Sequence, residues 1–332
     1  MAALAQADLP LDALGEELSA ALGRVVPHEG YCLIGFDPVS GLRTFQTSRD
    51  ALTGDPSRII HNEAVEHDLH RYADLAHRLN PVGTLGGGGP GEARSPRLHE
   101  ILPEQGFSRE LRLALRGGSV LWGALVLLRE CGRRPFSEEE ANATVAIAQP
   151  LAQAVKRISV RPCGQPRPPL PPGVVVVGPG GTAEAISPQA AAWFSDLHTT
   201  GCLPTAEHPL PQVVLVAAAA ARNEQDAQPD RLARIRTRSG RWISLTACPL
   251  GGGRVAVILQ PATGDQLLPA MAAWHGFTPR QLDVLRLLLE ARPVKQIARR
   301  LNVSPHTVED HLKVLYRKTE TNSQQELLAA LR

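Results

Sequence analysis

The chain has 332 residues, enough for two or three domains, and is 43% hydrophobic but only 4% aromatic, so its cores must be packed from Leu, Val and Ala. No apolar run approaches the roughly 18 residues that a membrane span needs. The net charge of +2 hides a gradient, from −4 over residues 1–160 through +2 over 161–275 to +4 over 276–332, which puts the phosphate-attracting surplus at one end.

Five cysteines (Cys32, Cys131, Cys163, Cys202 and Cys248) are scattered with no CxxC pair, which argues against a zinc site and a disulfide framework. The start lacks the apolar core of a secretion signal. A soluble, cytoplasmic protein without membrane contact is therefore expected.

Leu9, Leu11, Leu14, Leu18 and Leu22 recur at helical spacing, so the chain opens on an amphipathic helix. Tyr31–Phe36 reads as a strand, Asp37–Gly41 as a turn and Leu42–Thr47 as a returning strand. The pattern predicts a helix from His61 to Asn80, stopped at Pro81, and then a flexible loop over Leu85–Gly91. That loop is not a phosphate loop, since no Gly-Lys-Ser/Thr follows. Leu111, Leu113 and Leu115 alternate with polar or small neighbours, Arg116–Ser119 makes a tight turn, and Val120–Leu128 returns as a buried strand. Ser137 caps a long helix to about Ile158, with Glu138, Glu139 and Glu140 in its first turn. His61, His67, His70 and His77 raise a metal or haem reading, but no cysteine partner or second ligand pair accompanies them, and a solvated or interface histidine helix is expected. With Gly30–Phe36, the Arg109–Leu128 hairpin and Phe136-Ser137-Glu138-Glu139, residues 1–160 resemble a GAF domain. The resemblance implies an antiparallel sheet with a pocket for a small molecule, or a purely dimerising role.

Residues 161–172 form an extended Pro-rich linker, with an SH3-type ligand as the functional alternative. Val174–Val177 reads as a buried strand before the Gly178–Gly181 turn, and Pro188–Leu197 and Val213–Glu224 read as helices. Ala233, Ile235 and Thr237 then alternate with Arg234, Arg236 and Arg238, whose side chains are expected on a solvated sheet face. Ser239-Gly240 turns the chain into Trp242–Thr246, and Gly251–Gly253 leads to Val255–Leu259. On Gly173–Gly181, Ser187–Trp193 and the Arg238–Trp242 hairpin, residues 173–262 resemble a PAS domain. No family cofactor ligand is identifiable, His198 and His208 being only weak candidates for haem, and no cofactor is expected. A connector over 263–275, helical from Asp265 to His275, follows.

Thr278, Pro279 and Gln281 form the signature of a capped helix start, and Leu282, Leu285, Leu288 and Leu289 share one face up to Arg292-Pro293. A second helix runs from about Val294 to Leu301, with Ile297, Ala298 and Leu301 inward. Asn302-Val303 turns the chain, and Ser304-Pro305 opens a third helix whose inward stripe is Val308, Leu312 and Leu315. Ser323–Glu326 is a second capping box before a short helix, Leu327–Leu331. Two short helices joined by a turn of three to four residues is the helix-turn-helix plan, in which the second helix enters the major groove.

This stretch is similar to the LuxR-type (GerE-like) helix-turn-helix domain of bacterial transcription factors. The matching residues are Thr278-Pro279-Arg280, Val284-Leu285, Ile297-Ala298, Leu301, Val303-Ser304, Thr307-Val308, His311-Leu312, Lys318 and Asn322. The resemblance implies a four-helix domain over 276–332, with the helix-turn-helix at 294–313, a DNA-reading third helix and a fourth helix that often dimerises. Gln281 stands where the family carries Glu, and Lys318-Thr319-Glu320-Thr321 where it carries Lys-Leu-Gly-Val.

The fold class read from the sequence is multidomain α+β: two antiparallel-sheet units followed by an all-α helix-turn-helix domain. The expected function is sequence-specific DNA binding by a non-enzymatic transcriptional regulator, dimeric and set by its upstream sensor units. Lys295, Arg299, Arg300 and Thr307 are expected at phosphates and His306, Glu309, Asp310 and Lys313 at base edges, and Ser304, the cap of the third helix, and Arg317 on its outward face complete the expected DNA-binding set. Expected partners are promoter DNA, a second copy, a small-molecule effector and RNA polymerase. The alternative is a dimerising signalling scaffold whose helical tail binds protein.

Overall fold

The computed structural model describes residues 9–51, 56–66, 68–160, 170–197, 210–223 and 232–330. Most of the expected linker, His67, His198, His208, Cys163 and Cys202 lie outside them.

The first unit opens with helix α1 (Leu11–Gly23), which buries Leu11, Leu14, Leu18 and Leu22 as the spacing predicts. Strands β1 (Gly30–Phe36), β2 (Arg43–Arg49), β3 (Val82–Leu85), β4 (Phe107–Gly117) and β5 (Val120–Glu130) form one antiparallel sheet in the order β2-β1-β5-β4-β3. Gly118, at φ 64°, occupies the left-handed position that the β4–β5 turn requires. Strand period divides the apolar residues between two faces. Tyr31, Leu33, Leu111, Leu113, Leu125 and Leu127 join α1 and the long helix α4 (Glu138–Val160) in one core. Cys32, Ile34, Phe36, Ala124, Val126 and Leu128 face a second layer with Tyr72 and Leu102. The sheet is therefore covered on both sides. The start of α4 is fixed by reciprocal bonds, Glu140 N–H to Ser137 Oγ (3.2 Å) and Ser137 N–H to Glu140 Oε2 (2.8 Å). The Glu140 carboxylate also accepts from Arg129 at 2.6 Å, and the Arg129 guanidinium lies 3.9 Å from the Phe136 ring centroid.

The helix predicted over His61–Asn80 is two short ones, α2 (Pro56–Ala64) and α3 (Tyr72–His77). Asp68 explains the break. Its carboxylate accepts from the backbone N–H of Leu69 and Arg97 and from Ser95 Oγ and Asn62 Nδ2, which pins the segment to a distant loop. His70 takes a left-handed backbone at φ 59°. His61, His70 and His77 thus do not share one helix face. Strand β3 was not anticipated, and neither were the helical turns Glu92–Arg94, Arg97–Ile101 and Leu102–Glu104.

The second unit repeats the sheet order. β6 (Gly173–Val177), β7 (Ala183–Ile186), β8 (Leu232–Arg236), β9 (Trp242–Pro249) and β10 (Val255–Pro261) pair antiparallel as β7-β6-β10-β9-β8. Counted within each unit, both sheets run 2-1-5-4-3. Helix α5 (Pro188–Phe194) is capped by Ser187, and α6 (Gln212–Arg222) packs on the sheet through Val213, Val214, Ala217, Ala218 and Ala221.

The two units are joined through buried contacts. Ile59 and Ile60 of α2 and Leu42 belong to the same core cluster as α6 and the second sheet. Arg43 Nη1 donates to Gln212 Oε1 at 3.0 Å, and Asn223 Nδ2 donates to the Ala64 carbonyl at 2.8 Å. Arg234, expected on a solvated face, is 3% exposed. Its guanidinium meets the fully buried Asp37 carboxylate at 3.2 Å, and its backbone N–H donates to Asp37 Oδ2 at 2.9 Å. Of the three alternating arginines, Arg238 is exposed and Arg236 lies half-buried over the Trp242 ring.

Candidate nucleic-acid interface

Helix α7 (Gly264–His275) leads from the second sheet into the C-terminal helices. Thr263 and Gln266 form its capping box, and Gly276 ends it at φ 63°. Trp274 stacks on Trp242 of β9 with centroids 4.6 Å apart, and Arg234 donates to the Gln266 carbonyl. One arginine therefore holds the first unit, the second sheet and the start of the connector.

Four helices follow: α8 (Pro279–Leu289), α9 (Val294–Leu301), α10 (Pro305–Thr319) and α11 (Gln324–Ala330). Thr278 and Gln281 close the predicted capping box at 3.3 and 3.0 Å. Helix α8 buries Val284, Leu285, Leu287 and Leu288, so the inward stripe is rotated from the expected one and leaves Leu282 and Leu289 half-buried. It stops at Leu289, before Arg292-Pro293, with Ala291 left-handed at φ 58°. Helix α9 keeps its predicted bounds, buries Ile297 and Ala298, and ends at Asn302, left-handed at φ 53°. The Val303 N–H returns to the Ala298 carbonyl at 3.0 Å.

Ser304 caps α10 by accepting from Thr307 N–H at 3.1 Å, and its hydroxyl also lies 2.9 Å from Thr307 Oγ1. Val308, Leu312 and Leu315 are buried against the other helices. Positions 306, 309, 310, 313 and 317 then fall on the opposite side, and His306, Glu309, Asp310, Lys313 and Arg317 are all exposed. Along this stripe charges pair within the helix. Lys313 Nζ donates to Asp310 at 3.1 Å, and His306 lies 3.7 Å from Asp310 and 3.8 Å from Glu309. The bond from Lys313 holds the Asp310 carboxyl below its usual range.

Lys295, Arg299 and Arg300 of α9 are exposed. Arg299 and Arg300 line a basic surface recess with Arg292 and Gln296. Thr307 is half-buried and Ser304 is engaged in capping, so both are more closely tied to the helix start than the other expected contacts.

The roles of two matching residues, Arg280 and Lys318, escaped the sequence reading. Arg280 donates to the Leu301 carbonyl, tying α8 to the end of α9. Lys318 Nζ donates to the Gly276 carbonyl and to Gln281 Oε1, so the end of α10 grips the start of α8. His275 Nδ1 is 2.9 Å from the Lys318 carbonyl, and burial pushes the His275 pKa below its ordinary value. Helix α10 ends with Glu320 left-handed at φ 55°, where the sequence lacks a glycine. The fourth helix starts at Gln324, and the Glu326 carboxylate reaches back to Asn322 N–H (2.7 Å) while its own N–H bonds Ser323 Oγ (3.2 Å).

Residues 275–330 match the luxR family of bacterial regulatory proteins. The C-terminal segment is a luxR-family helix-turn-helix domain. HTH-type transcriptional regulators of Mycobacterium bovis and Mycobacterium tuberculosis are each 41% identical over 69 residues, which is 21% of this chain and 8% of theirs. The chain thus spans a small part of the relatives it matches.

Among solved structures, a domain of a two-component sensor histidine kinase protein from Sinorhizobium meliloti has 18% identity, covering 46% of this chain and 94% of that one, at a TM-score of 0.33. A GAF domain/HD domain protein from Geobacter sulfurreducens has 16% identity over 46% and 96%, at 0.32. Escherichia coli SdiA has 12% identity over 97% and 90%, at 0.33. At these scores the likenesses add nothing to the two sheets and the luxR-family domain described above. Among the described residues no helix is long and apolar enough to cross a membrane.

Proposed function

We infer that the chain is a DNA-binding transcriptional regulator whose luxR-family domain reads a promoter through α10 and whose two sheet units set the activity of that domain. The carrying observation is α10 itself. Its apolar side is locked into the bundle, and its opposite side presents an exposed polar stripe from His306 to Arg317 beside the basic surface of α9. This is the arrangement in which a recognition helix meets base edges while neighbouring cations hold phosphates.

Lys295, Arg299 and Arg300 are assigned to phosphates. Lys313 is assigned to guanine, and Glu309 or Asp310 to cytosine N4. Two copies would place two α10 helices on half-sites about one turn apart, and an effector or partner would shift the population of competent dimers. The buried contacts of Arg234 and the Trp242–Trp274 stack supply a route from the sheets to α7.

The test is fluorescence titration of the full chain with fragments selected from genomic DNA and with random duplex. Binding should weaken with rising salt, and Lys313→Ala should lose about 1–3 kcal/mol on the selected fragment and much less on random DNA. A response flat to salt would favour a protein-binding tail over a DNA-binding one.

A further inference from the structure

We propose that the cleft where α2 of the first unit meets α6 and the Gly178–Gly181 turn of the second binds an organic monocarboxylate, its head group on Arg222 and its apolar body between the two helices. The use of such a site rests on the reading that the sheet units set the activity of the luxR-family domain.

The cleft has a volume of about 720 Å³, inside the roughly 300–1,000 Å³ typical of small-molecule sites. No strand residue lines it, so it is distinct from a pocket on the face of either sheet. Ile60 and Val65 from the first unit and Leu215 and Ala219 from the second supply its apolar surface. Its walls are held together in two places. Asn223 Nδ2 donates to the Ala64 carbonyl at 2.8 Å, which ties the end of α6 to the end of α2. Gly181, left-handed at φ 79°, lets the turn touch the start of α2, since a Cβ there would come within 2.5 Å of Ser57 Oγ.

The decisive group is Arg222, the last residue of α6. Its Nε donates to the Gly253 carbonyl at 2.9 Å, and its Nη2 donates to the carbonyls of Val177 (3.1 Å) and Gly178 (2.6 Å). Three carbonyls thus fix the plane of the guanidinium but bring no counter-charge. Its Nη1, with two N–H donors, has no partner among the described residues, and no carboxylate among them pairs with this side chain. Burial lowers the Arg222 pKa and no acid group offsets it, so this cation is partly desolvated and unbalanced.

The other cations of the cleft are already matched from outside it. Arg58 pairs with Glu66 at 2.7 Å and with Glu100 at 2.5 Å, and His61 lies 3.9 Å from Glu66. No Asp or Glu lines the cleft itself. A fixed guanidinium nitrogen with two open donors suits a carboxylate. One negative charge balances Arg222. A doubly charged head would bring a second charge toward Glu66 and Glu100 with no cation left to meet it, and a neutral head would leave Arg222 unbalanced. A bound acid would touch both units at once and favour their docked arrangement.

The experiment uses the full chain and three probes with one apolar body: phenylbutyrate, phenylbutanamide and phenylbutylamine. Dissociation constants come from ligand-observed NMR titration without DNA, so a failure of the DNA-binding reading leaves the result untouched. The acid should bind at least about tenfold more tightly than the amide, because charge-assisted hydrogen bonds are roughly twice as strong as neutral ones. The amine should not bind. Arg222→Met keeps an apolar stem and removes the charge, so it should bring the acid down to the affinity of the amide. Should that variant lose its fold by circular dichroism, Val65→Trp carries the test. Val65 is 37% exposed, so a larger side chain there fills the cleft without entering the core, and acid binding should weaken at least about tenfold. Equal affinity for acid and amide, binding of the amine as tight as that of the acid, no binding of the acid at millimolar concentration, or undiminished acid binding in either folded variant would each overturn the proposal.

Discussion

The joint between the two sheet units makes an asymmetric prediction. Asp37 is fully buried and accepts four donors: the backbone N–H groups of Val39 (2.9 Å), Ser40 (2.8 Å) and Arg234 (2.9 Å), and the Arg234 guanidinium (3.2 Å). Breaking a buried ion pair from one side costs about 3–5 kcal/mol, because the other charge stays buried without its partner. Arg234→Met leaves Asp37 with its three backbone donors, so its cost should lie near the lower limit. Asp37→Ala leaves the guanidinium unpaired and also strips three amides of their acceptor, at about 1 kcal/mol for each lost bond. It should therefore cost about 3 kcal/mol more than Arg234→Met. The double variant removes both charges, and its cost should fall about 2–3 kcal/mol short of the sum, within the range for residues in direct contact. Urea denaturation of the full chain, followed by tryptophan fluorescence, reads all four proteins. Trp242 and Trp274 sit beside the joint and report its opening. Strict additivity, or an Arg234→Met cost equal to that of Asp37→Ala, would refute this account of the joint.

Three further substitutions test the C-terminal domain. Glu320→Gly should raise the urea midpoint, by up to about 1 kcal/mol of stability, because it places glycine where α10 ends left-handed; a lower midpoint would show that the Glu320 side chain matters more than its backbone. Asp310→Asn frees Lys313 from its partner and removes a negative charge from the exposed stripe. Random-duplex affinity, measured by anisotropy at several salt concentrations, should rise and its salt slope steepen by about one. His275, buried and held below its ordinary pKa, takes up its proton more readily in the unfolded chain. The stability due to its neutral form is complete above about pH 6.5 and declines as pH falls from there toward the lower folded value. Burial likewise lowers His28 and His70, so the comparison is with His275→Gln, whose stability should fall less over that window.

Legibility in the sequence followed the range of the forces involved. The bounds of α9 and the start of α10 rest on caps and on Asn302, all within a few residues, and they could be read directly. So could α1, α4 and the two central hairpins, where spacing and turn residues agree. The break at Asp68 could not, since its carboxylate bonds Ser95 and the Arg97 backbone, 27 and 29 residues away. Edge strands β3 and β7 have four residues each, too few for an alternation to stand out. The Arg234 pattern was visible but its meaning was not. Alternation along a strand reads the same whether the second face meets water or another unit, and only Asp37, 197 positions away, makes the difference. The same holds for Glu110 and Arg112, the polar alternates beside Leu111 and Leu113 on β4, which are buried. Of the candidate interface, the exposed stripe on α10 was readable from helical period alone. Its internal pairing, and the use of Arg280 and Lys318 as clamps, depend on tertiary contacts.

That internal pairing bears on how the proposed reading helix would choose its target. Two carboxylates on a face meant for DNA oppose binding in general, since each meets the phosphate field unfavourably. Here Asp310 is engaged by Lys313 and sits close to His306, so the free face is partly self-neutralised rather than simply acidic. Such exposed, solvent-screened pairs contribute little, whereas a well-placed base contact discriminates by about 1–3 kcal/mol. Opening Lys313 from Asp310 is then favourable only where both find partners, guanine for the lysine and a cytosine amine for the carboxylate. On any other sequence the lysine is better left with Asp310, and the attraction of the domain for DNA falls to the arginines of α9. Affinity for random DNA and selectivity for a site would thus be carried by different helices. Charge changes on α9 should move both selected and random binding together, while changes at Asp310 or Lys313 should move them apart.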